Sequence, residues 1–142
     1  MKVVIAPADW SSRKPDLLRI RFAVFVDEQG VPAELEHDEH DRQALHLIAT
    51  DPGGEPVATA RMLPDGHIGR MAVLSAWRKQ GIGSAMLRKL IGLAAERGIR
   101  DLHLNAQCEA ESFYRRLGFE PEGGVFKDAG IDHRRMTMHL VS

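Results

Sequence analysis

The chain has a single cysteine, Cys108, in 142 residues. No internal disulfide can form, and the composition suits a reducing compartment such as the cytoplasm. No apolar run approaches the ~20 residues of a membrane-spanning helix. Charge is nearly balanced, at net -1 with neutral histidines. There is thus no basic stripe for nucleic acid and no bias toward an anionic membrane. Met1 to Ile5 lead straight into a strand pattern and lack the layout of a secretory signal. Repeats and low-complexity tracts are absent. The rest is ordinary globular composition, 44% apolar. Its length predicts one domain over residues 1–142, burying about two-thirds of the surface that the unfolded chain exposes.

The familiar phosphate loops are also missing. No G-x-x-x-x-G-K-[ST] string occurs. Gly81 and Gly83 are followed by Met86 where a dinucleotide fingerprint needs a third glycine. What stands there is Arg78-Lys79-Gln80-Gly81-Ile82-Gly83-Ser84, between a strand-like run, Ile68 to Leu74, and a long amphipathic helix, 82–97. A strand, a basic glycine turn and a helix start form an anion site. Glycines let backbone approach the ligand, and the first helical N–H groups have no partner within the helix. Arg78 and Lys79 add full charge. A helix start with glycines for tight packing is the plainer reading of the same string.

Hydrophobic periodicity outlines the remainder. Lys2 to Ala6 reads as a strand. Pro15 marks a helix start, with Asp16 in the first turn and Leu17, Ile20 and Val24 on one face. Gly30 and Pro32 end that helix. Residues 44–50 and 57–63 are strands joined through Asp51-Pro52-Gly53-Gly54, a hairpin signal. Pro64-Asp65-Gly66 leads to a further strand, 67–74. After the helix, ended by Arg97-Gly98, come a strand at 101–106 and a helix near 109–117. Gly123-Gly124 and Gly130 suggest a final loop before a terminal strand, 136–141. The order β-α-β-β-β-α-β-α-β predicts an α/β fold, a mixed sheet with helices on its faces.

Two motifs then carry a family resemblance. R-x-x-G-x-G at 78–83 resembles the acyl-CoA pyrophosphate loop of the GNAT N-acetyltransferase superfamily, [QR]-x-x-G-x-[GA]. One helix and one strand later, Gln107-x-x-Ala110-x-x-x-Tyr114-x-x-x-Gly118-Phe119 resembles its N-x-x-A-x-x-x-Y-x-x-x-G-F pattern, with Gln for Asn. Val24 to Pro32, Ala58 to Met62 and Ile68 to Val73 look like the ElaA-like branch. The resemblance covers roughly Arg21 to Met138. It implies a central, mostly antiparallel mixed sheet flanked by helices. It also implies acetyl-CoA as co-substrate, no metal, and transfer of the acetyl group to a primary amine, small or on a protein. No nucleic acid or membrane partner is implied, and a homodimer is left open. A non-catalytic acyl-CoA-binding module is the alternative. By the same resemblance, Met71, Ala72 and Val73 pair through backbone with the pantetheine arm. Gln80, Gly81, Ile82, Gly83 and Ser84, with Arg78, hold the pyrophosphate. Tyr114 protonates the leaving thiolate, and Gln107 contacts a pantetheine amide.

The proton acceptor is less determined. Asp27, Glu28, Glu34, Glu36, Asp38, Glu39 and Asp41 form an acidic block without a lysine or arginine. It reads either as a solvated loop or as the mouth of a cationic-amine pocket. Glu28 is the first candidate base because it ends a helix; Asp41 and His46 are alternatives. His37, Asp38, His40 and Asp41 make a thin case for a metal. Cys108 near a helix start makes one for an acyl-cysteine. Arg61 and Arg70 lie on strands that could line a cleft or pair with the acidic block. Arg115 and Arg116 either reach a cofactor phosphate or face water.

Overall fold

The fold was analysed in a computed structural model that describes residues 3–33 and 39–141. Strand β1 is Val4–Ala8 and helix α1 is Trp10–Arg21. The helix begins five residues before Pro15 because Asp9 caps it, accepting a hydrogen bond from the Ser12 N–H. Pro15 therefore lies inside the helix, and Asp16 pairs with Arg13 instead of facing the first turn. The next residues, Phe22–Glu28, wind as a π-helix. Gln29 N–H reaches the Val24 carbonyl at 3.2 Å, and Gly30, at φ +73°, ends the run. The wider turn shifts which residues face inward, bringing Phe25 and Gln29 to a cavity described below.

Strands β2 (Leu45–Thr50), β3 (Pro56–Met62) and β4 (Ile68–Val73) follow β1 in one antiparallel sheet, ordered β1-β2-β3-β4. The predicted β2–β3 hairpin is present, with Asp51 accepting from the Gly53 and Glu55 N–H groups. Helix α2 (Ile82–Glu96), strand β5 (Asp101–Gln107) and helix α3 (Glu111–Arg116) come next. Strands β6 (Glu120–Asp128) and β7 (Ile131–His139) complete a second antiparallel sheet, ordered β5-β7-β6. β6 stands where a loop was predicted. Its glycines sit at a bulge between Glu122 and Val125, with Gly123 at φ +81°, and it forms the sheet's exposed edge, so no apolar alternation marks it. Among the described residues no helix is long and apolar enough to cross a membrane.

Helix α2 anchors the core. Ile82, Met86, Leu87, Leu90 and Ala94 recur at helical spacing and are fully covered by Leu47, Ala58, Ala60, Leu102, Leu104 and Phe119 from the strands and α3's exit. Ile82, Met86, Leu87 and Leu90 each contribute about 1.5–3 kcal/mol when removed from water.

The acidic block does not act as a unit. Asp41 is fully buried, and its carboxylate accepts from Arg21 at 2.9 and 3.1 Å and from Arg61 at 2.9 Å. His46 Nε2 meets the Asp41 backbone carbonyl, and Trp10 stacks on that imidazole at 4.9 Å. This buried cluster ties α1, the 3-10 turn Glu39–Arg42 and β3 together. Burial alone would raise the Asp41 pKa, but Arg21 and then Arg61 overturn that and take it down to about 2. The ordinary value is 3.8, so the ionised form stabilises the fold fully above about pH 4. That stabilisation is lost as pH falls through about 2. Asp41→Asn removes the buried carboxylate that Arg21 and Arg61 share. Chemical denaturation should show a loss of about 3–5 kcal/mol at neutral pH, and a smaller difference from wild type toward pH 2.

Candidate active site

The site is made by two sheets that touch and then part. β4 and β5 are joined by one parallel bridge, His67 to His103, where the His103 N–H donates to the Gly66 carbonyl at 3.1 Å. Beyond it the strands belong to separate sheets. A bulge in β4 accompanies the parting. Thr59 faces Ala72 while Arg61 faces Gly69, so β4 carries one extra residue, and Arg70 adopts φ +50°. Such a bulge bends a strand and increases its twist.

The opening is a cavity of about 480 Å³. One wall is His67 and β4 as far as Met71; the facing wall is Leu104, Asn105 and Gln107 of β5, with Ala110 and Tyr114. Phe25, Gln29 and Val31 close one end, and the β6–β7 turn with His133 closes another. Gln107 Nε2 donates to Gln29 Oε1 at 3.0 Å, linking the end of the π-helix to β5.

Tyr114 packs edge-on against Phe113 and Phe119, with ring centroids at 5.0 and 6.2 Å. Burial pushes its phenol up to about 12, so it is a neutral O–H donor at any physiological pH. Met71 also lines the cavity. Ala72 points away, buried among Ile20 and Val24, so only its backbone can serve a ligand. Val73 is half-buried, and its carbonyl accepts from Arg78 Nε at 2.9 Å.

The basic turn combines left-handed backbone with an uncapped helix start. Lys79 and Gly81 adopt φ +62° and +83°, and Gly81 is the N-cap of α2 with no side chain capping the first turn. A Cβ at Gly81 would meet nothing within 4 Å, and one at Gly83 would only touch Phe113 at 3.5 Å. The space over this helix start is open. Ile82 is buried, so it offers backbone alone, and Ser84 lies in the first turn. The Gln80 amide reaches back to the Ala76 carbonyl at 3.3 Å.

Glu28 lies in an ion pair with Arg78. It accepts from both Arg78 terminal nitrogens, at 2.6 and 2.8 Å, on the surface beside the basic turn, and does not line the cavity. Those hydrogen bonds hold its carboxyl below the ordinary range, outweighing the small effect of burial. Asp41, His46 and Arg61 are committed to the buried cluster, whereas Arg70 lines the cavity. Asp27 and Glu39 are exposed, and Glu34, Glu36, His37 and Asp38 lie outside the described residues. Cys108 is half-buried at the end of β5, and Arg115 and Arg116 are exposed on α3. Periodicity did not single out His67, Asn105, Gln29 or His133. His67 opens a predicted strand, Asn105 lies inside another and Gln29 within the Val24 to Pro32 string, but the sequence assigns no role to any of them or to His133.

Comparison with known proteins is consistent across the chain. A family model described as an acetyltransferase (GNAT) domain matches residues 12–140. The uncharacterized N-acetyltransferase YjcF of Bacillus subtilis (strain 168) is 38% identical over 140 residues, covering 96% of this chain and 98% of its own length. The crystal structure of an acyl-CoA N-acyltransferase from Pseudomonas aeruginosa aligns with TM-score 0.87 at 27% identity, covering 96% and 99%. That of Escherichia coli ElaA aligns with TM-score 0.84 at 27% identity, covering 98% and 100%.

Two outcomes are expected from this geometry. Gly83→Asp places a carboxylate over the open helix start, and calorimetry should show CoA affinity falling at least about 10-fold in a variant whose circular dichroism is unchanged. Glu28→Gln releases Arg78 from its ion pair. It should alter the Kd for CoA while leaving the pH profile of turnover where it was; a displaced acidic limb would return Glu28 to the chemistry.

Proposed function

Because the chain belongs to the GNAT acetyltransferase family, in its ElaA-like branch, we propose that it transfers an acetyl group from acetyl-CoA to a primary amine by direct attack. The observation that carries this reading is the common cavity. β4, at the edge of its sheet, and Tyr114 both line it, with the open basic turn at 78–84 following Val73 in the chain. On this reading residues 1–142 are one acetyltransferase domain, acting in the cytoplasm on a small-molecule or protein amine.

The roles follow from the chemistry. The backbone of Met71 to Val73 holds the pantetheine arm, and the Val73 N–H polarises the thioester carbonyl where negative charge develops. Backbone from Gln80 to Ser84 receives the pyrophosphate at the start of α2, with Arg78 adding charge once it turns from Glu28. Gln107 offers both a donor and an acceptor to a pantetheine amide. Tyr114 donates its O–H to the departing sulfur. Complete transfer from a phenol near 12 to a thiolate near 8.5 runs uphill, so the contribution is a hydrogen bond, with the proton arriving from water. At pH 7 only about one alkylamine in 10³ is unprotonated, so the acceptor must lose a proton within the site or on the way to it.

Acetyl-CoA incubated with a panel of amines, amino acids and lysine peptides should release free thiol with at least one acceptor. Acetyl-CoA binding without thiol release from any of them would favour the binding-module alternative. Tyr114→Phe should lower kcat by about 10- to 10²-fold with little change in the Kd for CoA.

A further inference from the structure

Two imidazoles meet where the sheets join. His67 Nδ1 and His103 Nδ1 are 3.2 Å apart, with the rings edge to face at 4.8 Å. At that distance one nitrogen carries a hydrogen and the other a lone pair, since two N–H groups or two lone pairs would repel. Arg135 decides which. Its Nη1 lies 3.4 Å from His103 Nδ1, and a guanidinium can only donate. With His103 Nδ1 as acceptor, its single lone pair is shared between Arg135 and His67 and no N–H faces the guanidinium; His67 Nδ1 then carries the hydrogen, and the His67 lone pair lies on Nε2. The hydrogen of His103 then sits on its own Nε2, which faces the exposed carboxylate of Asp65 at 3.7 Å.

Among the described residues no hydrogen bond engages His67 Nε2, and Gly69 beside it also lines the cavity. His67 lines the cavity, and its Nε2 lies 3.7 Å from where a Cβ at position 69 would be. Glycine at 69 leaves that nitrogen uncovered. The charged and titratable neighbours are His103 and Arg135 from the second sheet, Asp65 from the preceding turn and Arg61 from β3. Arg70, Asp128 and His133 line the same cavity. Burial first, then His103, keeps the His67 pKa below 6.5, with Arg61 and Arg135 acting the same way and Asp65 opposing them. The ring is neutral at pH 7.

We propose that His67 is the catalytic proton acceptor for the attacking amine, with His103 as the positioning residue that fixes its tautomer; this rests on the acetyl-transfer reading above. As the amine nitrogen bonds to the thioester carbon it becomes much more acidic. One N–H bond breaks and the proton joins the Nε2 lone pair of His67. The C–S bond breaks, and its electron pair leaves on sulfur, which takes a proton from water. The imidazolium returns its proton to water when the product leaves. Nitrogen loses one hydrogen and sulfur gains one, so no other reactant is needed.

The tautomer can be read without any acceptor. Nitrogen-15 NMR of the histidine-labelled full chain at pH 7.5 should show His67 protonated on Nδ1 and bare on Nε2, and His103 protonated on Nε2. A His67 protonated on Nε2 overturns the proposal, and this measurement decides it even if variants at this seam do not fold. In turnover, His67→Gln should lose about 10²- to 10³-fold in kcat and the acidic limb of the kcat/KM profile below pH 6.5, with the Kd for CoA unchanged. Added imidazole should restore part of the activity of His67→Ala. If wild type releases thiol but His67→Gln keeps its kcat and its limb, the base assignment alone fails. If wild type releases no thiol with any amine of the panel, the acetyl-transfer reading itself fails.

Discussion

The hydrogen bond from the His103 N–H to the Gly66 carbonyl, 3.1 Å long, is the hinge on which the site is built. It holds β5 parallel to the start of β4, and nothing continues the pairing. Gly66 is required there for two reasons. Its φ is +93°, and a Cβ would lie 2.2 Å from the Asp101 carbonyl oxygen. A larger residue would push β5 away and close or misplace the cavity. The bulge at Arg70 then bends β4, which pairs with β3 along one edge and lines an open space beyond its single bridge to β5. A strand edge beside a cavity is useful where an amide-rich ligand arm can pair with it.

Charge is handled in two ways. Asp41 is held by two buried arginines, and a buried carboxylate is stable only with such compensation. Glu28 and Arg78 are about 40% exposed, so water and salt screen their pair and little stability depends on it. The buried cluster locks α1 to β3, whereas the Glu28–Arg78 pair holds an arginine beside the basic turn.

The elements that sequence made legible are those whose signal is local. The α2 stripe, the Asp51 hairpin and the Gly98 helix end follow from spacing and turn chemistry alone. The start of α1 was misjudged because Pro15 draws attention from Asp9, a better cap. Strand β6 was hidden because an exposed edge strand with a glycine bulge has no apolar alternation. Among the site residues, the basic turn and Tyr114 carried recognisable motifs. Glu28 was read as a base from its place at a helix end. Its partner, Arg78, is 50 residues away, and that contact is what lowers its pKa.

The sequence by itself determined the helices, most strands, the family and the basic glycine turn, because each rests on periodicity or on a contiguous string. Only the tertiary structure decided the fate of the acids and histidines. Asp41 sits 20 residues from Arg21 and from Arg61, and His67 lies 36 residues from His103. Whether a carboxylate is buried or a ring nitrogen is bare depends on neighbours brought together by sheet register, and a one-residue slip would turn each side chain to the opposite face.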